Sequence, residues 1–128
     1  LIEKFINNEV VKITKGNQTR EFNYVKNTVN LLINAMKNNK LFNNIVNISD
    51  GNEISIKNLA KKIKLLTKSK SKLIIGGLPE RKTEIVRMKA STNKMKKLLK
   101  KTSLISFNQG LLNTIESIKK EKKLLKSF

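Results

Sequence analysis

The sequence contains neither cysteine nor histidine in its 128 residues. Without cysteine a disulfide framework is impossible, and a reducing, cytoplasmic setting is the expectation. Zinc sites of the usual kinds and every histidine-based catalytic triad are also excluded. Asp50 is the only aspartate, and the eight glutamates show no paired spacing typical of a calcium loop or of catalytic carboxylates. We therefore expect no metal site and find no catalytic residue.

Glycines are few, and their spacing excludes a nucleotide cradle. They stand at positions 16, 51, 76, 77 and 110, and no group of them forms G-x-G-x-x-G or a Walker A loop. The only tyrosine, Tyr24, is followed four residues later by Thr28, where a tyrosine–lysine acid/base pair would need lysine. We interpret Tyr24 as structural, and we expect this chain on its own to bind no dinucleotide cofactor.

Long apolar runs are also absent. No run approaches the roughly 20 residues that a membrane-spanning helix needs, and no charged and then apolar leader opens the chain. The length suits one domain at most. Because the chain starts at Leu1 and lacks an initiator methionine, we expect it to be one piece of a longer protein.

Positive charge, in contrast, is abundant: the formal net charge is +19 and the isoelectric point is near 10.3. Such a charge can bind nucleic acid by releasing counterions from the phosphate backbone. The lysines are nevertheless spread along the chain, together with the asparagine and isoleucine that A/T-rich codons favour. One tyrosine and no tryptophan leave little for base stacking. A small basic nucleic-acid-binding or assembly module therefore stays as the alternative function, with nucleic acid the less favoured partner.

Only three of the 28 basic residues are arginine. Arginine presents a planar fork of donors that grips a phosphate or carboxylate in two places, whereas lysine supplies a flexible point charge. Arg20 and Arg81 each stand beside turn-forming residues at the end of an apolar, strand-like run, so both are candidate anion-binding residues. Arg87 lies within the run at residues 85–88, and we interpret it as a solvated strand residue.

Periodicity and turn signals predict a mixed α/β class, which is α+β if the chain is considered as an isolated piece. Runs rich in β-branched residues predict four strands, at residues 10–14, 20–25, 45–48 and 72–75. The first two flank a turn and form either a hairpin or two strands joined by a short loop. Pro79, the only proline, and the two glycines before it give the strongest loop signal.

Five helices are predicted between and after these strands. One ends near residue 8, and a second, at residues 26–38, carries an apolar stripe at helical spacing: Val29, Leu32, Ile33 and Met36. Ser55 caps a third helix, whose buried stripe is expected to be Ile56, Leu59, Ile63 and Leu66. Ser91 caps a short fourth helix, and Ser106 with Gln109 forms a capping box that starts the last one. From Lys119 onward we expect a charged, fraying end.

In chain order, six segments resemble motifs of the extended short-chain dehydrogenase/reductase family, the NAD-dependent sugar-nucleotide epimerases and dehydratases. Residues 11–25, VKITKGNQTREFNYV, resemble its strand, glycine turn and R-D-F-x-Y-V segment. The remaining five, in order, resemble its Y-N-I-G-x-G-x strand and loop (44–53), its S-I-x-E-L helix start (55–59), its R-P-G-D or R-P-x-E loop (78–84), its S-K-A-x-x-L-L helix (94–99) and its S-L-E-E-G-L-x-x-T-I-E ending (106–116). The likeness covers nearly the whole chain.

This resemblance implies that residues 1–128 form a single partial domain, the substrate-binding C-terminal portion, with residues 45–48 belonging to the Rossmann sheet. The N-terminal dinucleotide-binding half, which carries the catalytic tyrosine–lysine pair, would be absent. The implied function is the substrate-binding portion of an NAD(P)-dependent nucleoside-diphosphate-sugar epimerase or dehydratase, an isomerase or a lyase, inactive alone. NAD or NADP would belong to the complete enzyme, whose partners would be the missing half and a second copy of the parent.

The resemblance also implies roles for particular residues. Arg20 and Arg81 would grip the pyrophosphate of a nucleoside-diphosphate sugar, and Asn52 would add a contact from the loop after the strand. Val11 and Ile13 lie where the family's strand passes the nucleotide base.

Two segments depart from the family's pattern. Asn27 stands where the family usually has the aspartate of Y-V-x-D, and residues 100–103, KKTS, replace the Gly-Trp and the proline of its L-L-G-W loop. These changes concern the packing of one corner and leave both candidate arginines in place.

Overall fold

The computed structural model describes residues 1–99, 104–125 and 127. Its helices are α1 (Ile2–Ile6), α2 (Val25–Met36), α3 (Ile56–Thr67), α4 (Asn93–Leu98) and α5 (Phe107–Leu125). Its strands are β1 (Val11–Ile13), β2 (Thr19–Glu21), β3 (Glu53–Ser55) and β4 (Leu73–Ile75). The predicted mixed α/β class is confirmed. No helix in the described ranges combines the length and apolarity needed to cross a bilayer.

The strands form two separate pairs. β1 runs parallel to β4, with Val11 opposite Leu73, and β2 runs antiparallel to β3, with Arg20 opposite Ile54. The first two strands therefore do not form a hairpin but are joined by a loop. At this loop Gly16 accepts a hydrogen bond from the Lys57 amide at 2.9 Å, so the chain crosses the start of α3. Gly16 has a φ of +68°, and a Cβ there would lie 2.8 Å from the Lys57 nitrogen, so glycine is required.

The main core lies between β1, α1 and α3, where Phe5 of α1 is completely buried. Its buried members are Phe5, Val11, Ile13, Leu59, Ala60 and Ile63. Of the stripe predicted for α3, Leu59 and Ile63 are buried as expected, while the other two residues are half-buried. The predicted cap is also present, because the Asn58 amide donates to Ser55 Oγ at 3.2 Å.

The strand predicted at residues 45–48 is wrong: the structure has an irregular segment there. Ile45 is 90% exposed, whereas Val46 and Ile48 pack against a second core cluster of Leu31, Met95 and Leu99. The described part of the chain offers this segment no adjacent strand, and a strand needs a neighbour for its backbone hydrogen bonds. The strand that does form in this region, β3, was missed because it is short and its last residue, Ser55, is also the N-cap of α3.

Helix α2 forms as predicted, but its apolar stripe faces outward. Asn27 and Leu31 are buried and Ala35 packs against the second cluster, whereas the predicted stripe residues are all exposed. The period of the sequence therefore identifies the helix, and the side of it that packs against the described chain lies opposite the apolar stripe.

The last two helices differ in detail from expectation. α4 begins after Thr92 and not after Ser91. At the start of α5 the Gln109 amide donates to Ser106 Oγ at 3.3 Å, while the Gln109 side chain turns to Asn113, so half of the capping box forms. The tail predicted to fray from Lys119 is helical as far as Leu125. Residues 100–103, where the family's pattern is broken, lie outside the described residues.

Asn27 joins α2 to the segment before α5. It is 2% exposed, its Nδ2 donates to the Ile105 carbonyl at 2.8 Å, and its Oδ1 accepts from the Ile105 amide at 2.9 Å. An aspartate would supply the acceptor but not the donor. Asparagine therefore suits this position better than the family's aspartate, because the Ile105 backbone offers both a carbonyl and an amide.

We predict that Asn27→Asp lowers the free energy of unfolding by about 2–3 kcal/mol, because a buried carbonyl loses its donor beside a new buried charge. Urea unfolding followed by circular dichroism measures this change. Asn30→Asp, on the exposed side of the same helix, is the control and should change stability by less than about 0.5 kcal/mol. Equal losses in the two variants would contradict the assigned role of Asn27.

Candidate functional site

The candidate site is built on a loop, residues 80–90, that lies along β2. The Thr19 amide donates to the Val86 carbonyl at 2.9 Å, and the Met88 amide donates to the Thr19 carbonyl at 3.2 Å. Further along, the Ala90 amide donates to Glu21 Oε2 at 2.8 Å. The loop therefore continues the β2–β3 pair as a partial third strand, with its backbone held by β2.

Arg20 uses its fork to hold this loop. Its Nη2 donates to Glu84 Oε1 at 2.5 Å, and its Nη1 donates to the Thr19 carbonyl at 2.8 Å. Its side chain is only 22% exposed, so the ion pair is partly shielded from water. Among the described residues Arg20 has partners for two of its five N–H donors, which leaves three for an additional anion.

Arg87, which belongs to the loop, makes a second two-point contact, with Glu53 of β3. Arg87 Nε donates to Glu53 Oε1 at 3.0 Å and Arg87 Nη2 donates to Oε2 at 2.7 Å. The same carboxylate accepts from Thr19 Oγ1 at 2.8 Å and lies 3.4 Å from Lys89 Nζ. Arg87 is exposed and forms a β-bridge with Thr19, as predicted for a solvated strand residue, and its guanidinium in addition binds a carboxylate of the neighbouring strand pair.

These contacts shift the pKa values of Glu53 and Arg87. Hydrogen bonds from Arg87 and then Thr19 lower the pKa of Glu53 to about 2, against a slight opposing effect of burial. The same interaction raises the pKa of Arg87. Both groups are consequently charged throughout the neutral range.

Arg81 is the arginine whose fork is left open. Its side chain is exposed, and within residues 1–99 and 104–125 no hydrogen bond or ion pair engages its guanidinium. Its carbonyl accepts from the Glu84 amide at 3.2 Å, and Glu84 in turn holds Arg20. The structure thus connects the two predicted anion-binding arginines through one glutamate.

The other three predicted site residues lie elsewhere. The side chains of Val11 and Ile13 are inside the main core, so any contact with a nucleotide base would have to involve the main chain of β1. Asn52 is exposed and lines a small hollow of about 340 Å³ with Ile54 and Asn108. Its backbone amide donates to Asp50 Oδ1 at 3.1 Å, which is typical of a turn residue. Their binding roles stay predictions.

An apolar cavity of about 650 Å³ lies between α1, α3, α5 and the segment before α2. Tyr24 lines it and packs against α5, where a Cβ on Gly110 would come within 2.8 Å of the Tyr24 Cβ. This close packing agrees with a structural role for Tyr24. No cluster of metal-ligating side chains occurs among the described residues.

Glu53 and Glu84 are the residues that the sequence interpretation missed. A usable signal was present, since acidic residues number nine against 28 basic ones. Because carboxylates are few in this chain and basic residues are many, each glutamate can be expected to form an ion pair. Arginine is a favoured partner because it can bind a carboxylate at two points.

Comparison with known proteins gives the following picture. No family model matches the sequence. The chain is 36% identical to the UDP-N-acetyl-alpha-D-glucosaminuronate decarboxylase of Bacillus cytotoxicus over 79% of its length. It is 33% identical to the UDP-glucuronic acid decarboxylase 1 of Danio rerio over 83% of its length. These matches cover 32% and 24% of the two relatives, so the chain spans a third or less of each.

Solved structures agree over nearly the whole chain. The epimerase Mth375 of Methanothermobacter thermautotrophicus superposes with a TM-score of 0.86, at 23% identity, over 98% of this chain and 38% of that one. The UDP-glucose 4-epimerase of Thermotoga maritima, solved with UDP-glucose, gives 0.81 at 25% identity over 94% and 38%. The enzyme WbmF of Bordetella bronchiseptica, solved with NADH, gives 0.79 at 28% identity over 98% and 37%.

We predict that the Glu53–Arg87 ion pair stabilises the chain in a pH-dependent manner. Because the folded pKa of Glu53 is lowered from 4.5 to about 2, its contribution is complete above about pH 4.5 and is lost as the pH falls towards 2. Thermal midpoints measured across this range should fall less steeply for Glu53→Gln than for the unaltered chain. Glu116→Gln, on the exposed side of α5, is the control and should keep the steep decline; identical profiles for all three proteins would refute the role of the pair.

Proposed function

We propose, from the premise that this chain belongs to the extended short-chain dehydrogenase/reductase family, that it is the substrate-binding C-terminal portion of a sugar-nucleotide-modifying enzyme of the epimerase, dehydratase or decarboxylase kind. Its ligand is a nucleoside diphosphate sugar, and its role is to hold the pyrophosphate. The chemistry of the reaction belongs to the dinucleotide-binding half of the parent enzyme.

The relatives support this choice of ligand. The two curated relatives are by name decarboxylases of UDP-linked uronic acids, and the Thermotoga structure contains UDP-glucose. A pyrophosphate carries closely spaced negative charges and many acceptor oxygens, which suit the planar fork of arginine.

The open fork of Arg81 is the observation that carries the proposal. Its loop is held at two points by ion pairs and at Thr19 of β2 by two backbone hydrogen bonds. A fork on a loop that is already fixed loses little conformational entropy when it binds an anion. In a chain with nine acidic residues and two of the three forks already paired, the open fork is best explained by a ligand from outside the chain.

The cofactor fits the remainder of the enzyme and not this portion. NADH is present in the WbmF structure, which this chain matches over 37% of that protein's length. The glycines of this chain form no phosphate cradle, and we assign NAD or NADP to the other half of the parent. The cofactor would supply the hydride chemistry, while the residues described here would orient the substrate by its diphosphate.

We predict that Arg81→Lys weakens the binding of UDP-glucose about tenfold or more, because charge is kept while two-point hydrogen bonding is lost. A nuclear magnetic resonance titration of the 128-residue chain measures this, with the amides of residues 80–84 as reporters. Lys82→Gln, in the same exposed loop, removes a charge but no fork and should change affinity less. A greater effect of Lys82→Gln, or no response of the loop to UDP-glucose, would reject the proposed site.

The same titration distinguishes two roles for Arg20. We predict that Arg20→Lys weakens UDP-glucose binding more than Glu84→Gln does, because Arg20 contacts the diphosphate through its remaining donors as well as holding Glu84. If the two variants lose affinity equally, Arg20 acts only by holding the loop. If neither loses affinity, the anion site does not include Arg20.

A further inference from the structure

A polar hollow of about 530 Å³ lies between the loop and the start of α4. Of the described residues that line it, three are cations, Arg87, Lys89 and Lys96, and none is acidic. Residues 90–93, which supply two hydroxyl groups and one amide side chain, complete the lining together with Gly51. We define these eight residues as the basic hollow. Such a lining suits a compact, hydrated anion and not an apolar ligand.

The basic hollow lies on the opposite face of β2 from Arg20. Side chains alternate along a strand, so Thr19 and Arg20 point in opposite directions. Thr19 Oγ1 donates to Glu53, the carboxylate that also binds Arg87 of the hollow. Arg20 binds Glu84 instead. An anion in the basic hollow would therefore be separate from the diphosphate of the proposed function.

Glu53 offsets only part of the positive charge of the basic hollow. Its carboxylate binds Arg87 through Nε and Nη2 and lies 3.4 Å from Lys89 Nζ. Among the described residues, Arg87 Nη1 and Lys96 Nζ have no partner. One carboxylate against three cations leaves two positive charges in excess. A phosphate monoester carries a charge of about −1.5 to −2 at pH 7, which matches this excess.

The wall of the basic hollow is held in place by contacts with other parts of the chain. The Ala90 amide donates to Glu21 Oε2 at 2.8 Å, and Asn47 Nδ2 donates to the Ser91 carbonyl at 3.3 Å. The guanidinium of Arg87 is fixed by its two-point contact with a carboxylate. Donors that are already ordered lose little conformational entropy when they bind an anion.

We propose that the basic hollow binds a dianionic phosphate group, either free phosphate or the phosphate of a small ester. Lys96 and the unengaged Nη1 of Arg87 supply charged donors to its oxygens, and the Ser91 hydroxyl supplies a neutral one. The volume of about 530 Å³ leaves room for the body of an ester beside the phosphate. Arg81 takes no part in this site, so the inference goes beyond the proposed function and is independent of it.

Lys96→Gln is the test variant, and Lys94→Gln, on the same helix but outside the lining, is the control with the same loss of charge. The 128-residue chain is titrated with inorganic phosphate and, separately, with glucose 6-phosphate at constant ionic strength and about pH 7.5, where phosphate is a dianion. Nuclear magnetic resonance follows the amides of residues 87–96. We expect saturable shifts centred on these amides, weakened about threefold to fivefold by Lys96→Gln and less than about 1.5-fold by Lys94→Gln.

The two probes distinguish the sources of the phosphate. Tighter binding of glucose 6-phosphate than of inorganic phosphate would identify an ester as the ligand, and equal or weaker binding would identify free phosphate. Equal weakening by the two variants, or shifts that do not saturate or that spread over the whole chain, would show only the general attraction of an anion to a basic protein and would overturn the proposal. Lys96→Gln should leave the response of residues 80–84 to UDP-glucose unchanged, so the two sites are tested separately.

Discussion

The geometry of the loop at residues 80–90 depends on the bidentate contact between Arg87 and Glu53. Glu53 lies on β3 and accepts from Thr19 of β2, while Arg87 belongs to the loop, so one carboxylate joins three segments that are distant in sequence. The loop is itself basic, with Arg81, Lys82, Arg87 and Lys89 against Glu80 and Glu84. The Glu53 carboxylate attracts it locally, and the two backbone hydrogen bonds at Thr19 of β2 fix its register.

This arrangement explains why arginine is placed where it is in a chain that otherwise uses lysine. A lysine at position 87 would offer one ammonium to Glu53 and would not fix the angle between loop and strand, whereas the fork does both. Arg20 performs the same task at Glu84. With two forks used to hold the loop, Arg81 is presented on a defined backbone and not on a mobile one. The three arginines thus differ in role because the fold places a carboxylate against two of them. The residues that flank each arginine in the sequence do not determine this difference.

Local signals in the sequence were sufficient for most of the helices and for two of the strands. Ser55 and Ser106 begin helices because a side-chain oxygen beside an amide is a local interaction that the sequence displays directly. The strand at residues 45–48 failed because a strand is defined by its neighbours, and periodicity does not report whether they are present. The pairing of Arg87 with Glu53, 34 residues apart, was invisible for the same reason. Arg20 and Arg81 were found as rare arginines beside turn-forming residues, and the glutamate that connects them was not found.

The outward stripe of α2 shows that apolar residues at helical spacing can identify a helix without marking the face that it buries in its own chain. Apolar residues at helical spacing mark an apolar face of the helix. They do not report whether the partner of that face lies in the same chain or outside it. α2 meets its own chain through Asn27 and Leu31, and the polar member of that pair is satisfied by two hydrogen bonds to Ile105. This helix buries a hydrogen-bonded asparagine and exposes valine, leucine, isoleucine and methionine. The larger part of its apolar surface is therefore on the exposed side. The exposed apolar stripe of α2 would be stabilised by an apolar partner, just as the unpaired guanidinium of Arg81 would be stabilised by an anion. Both features belong to a chain that corresponds to about a third of the length of its relatives.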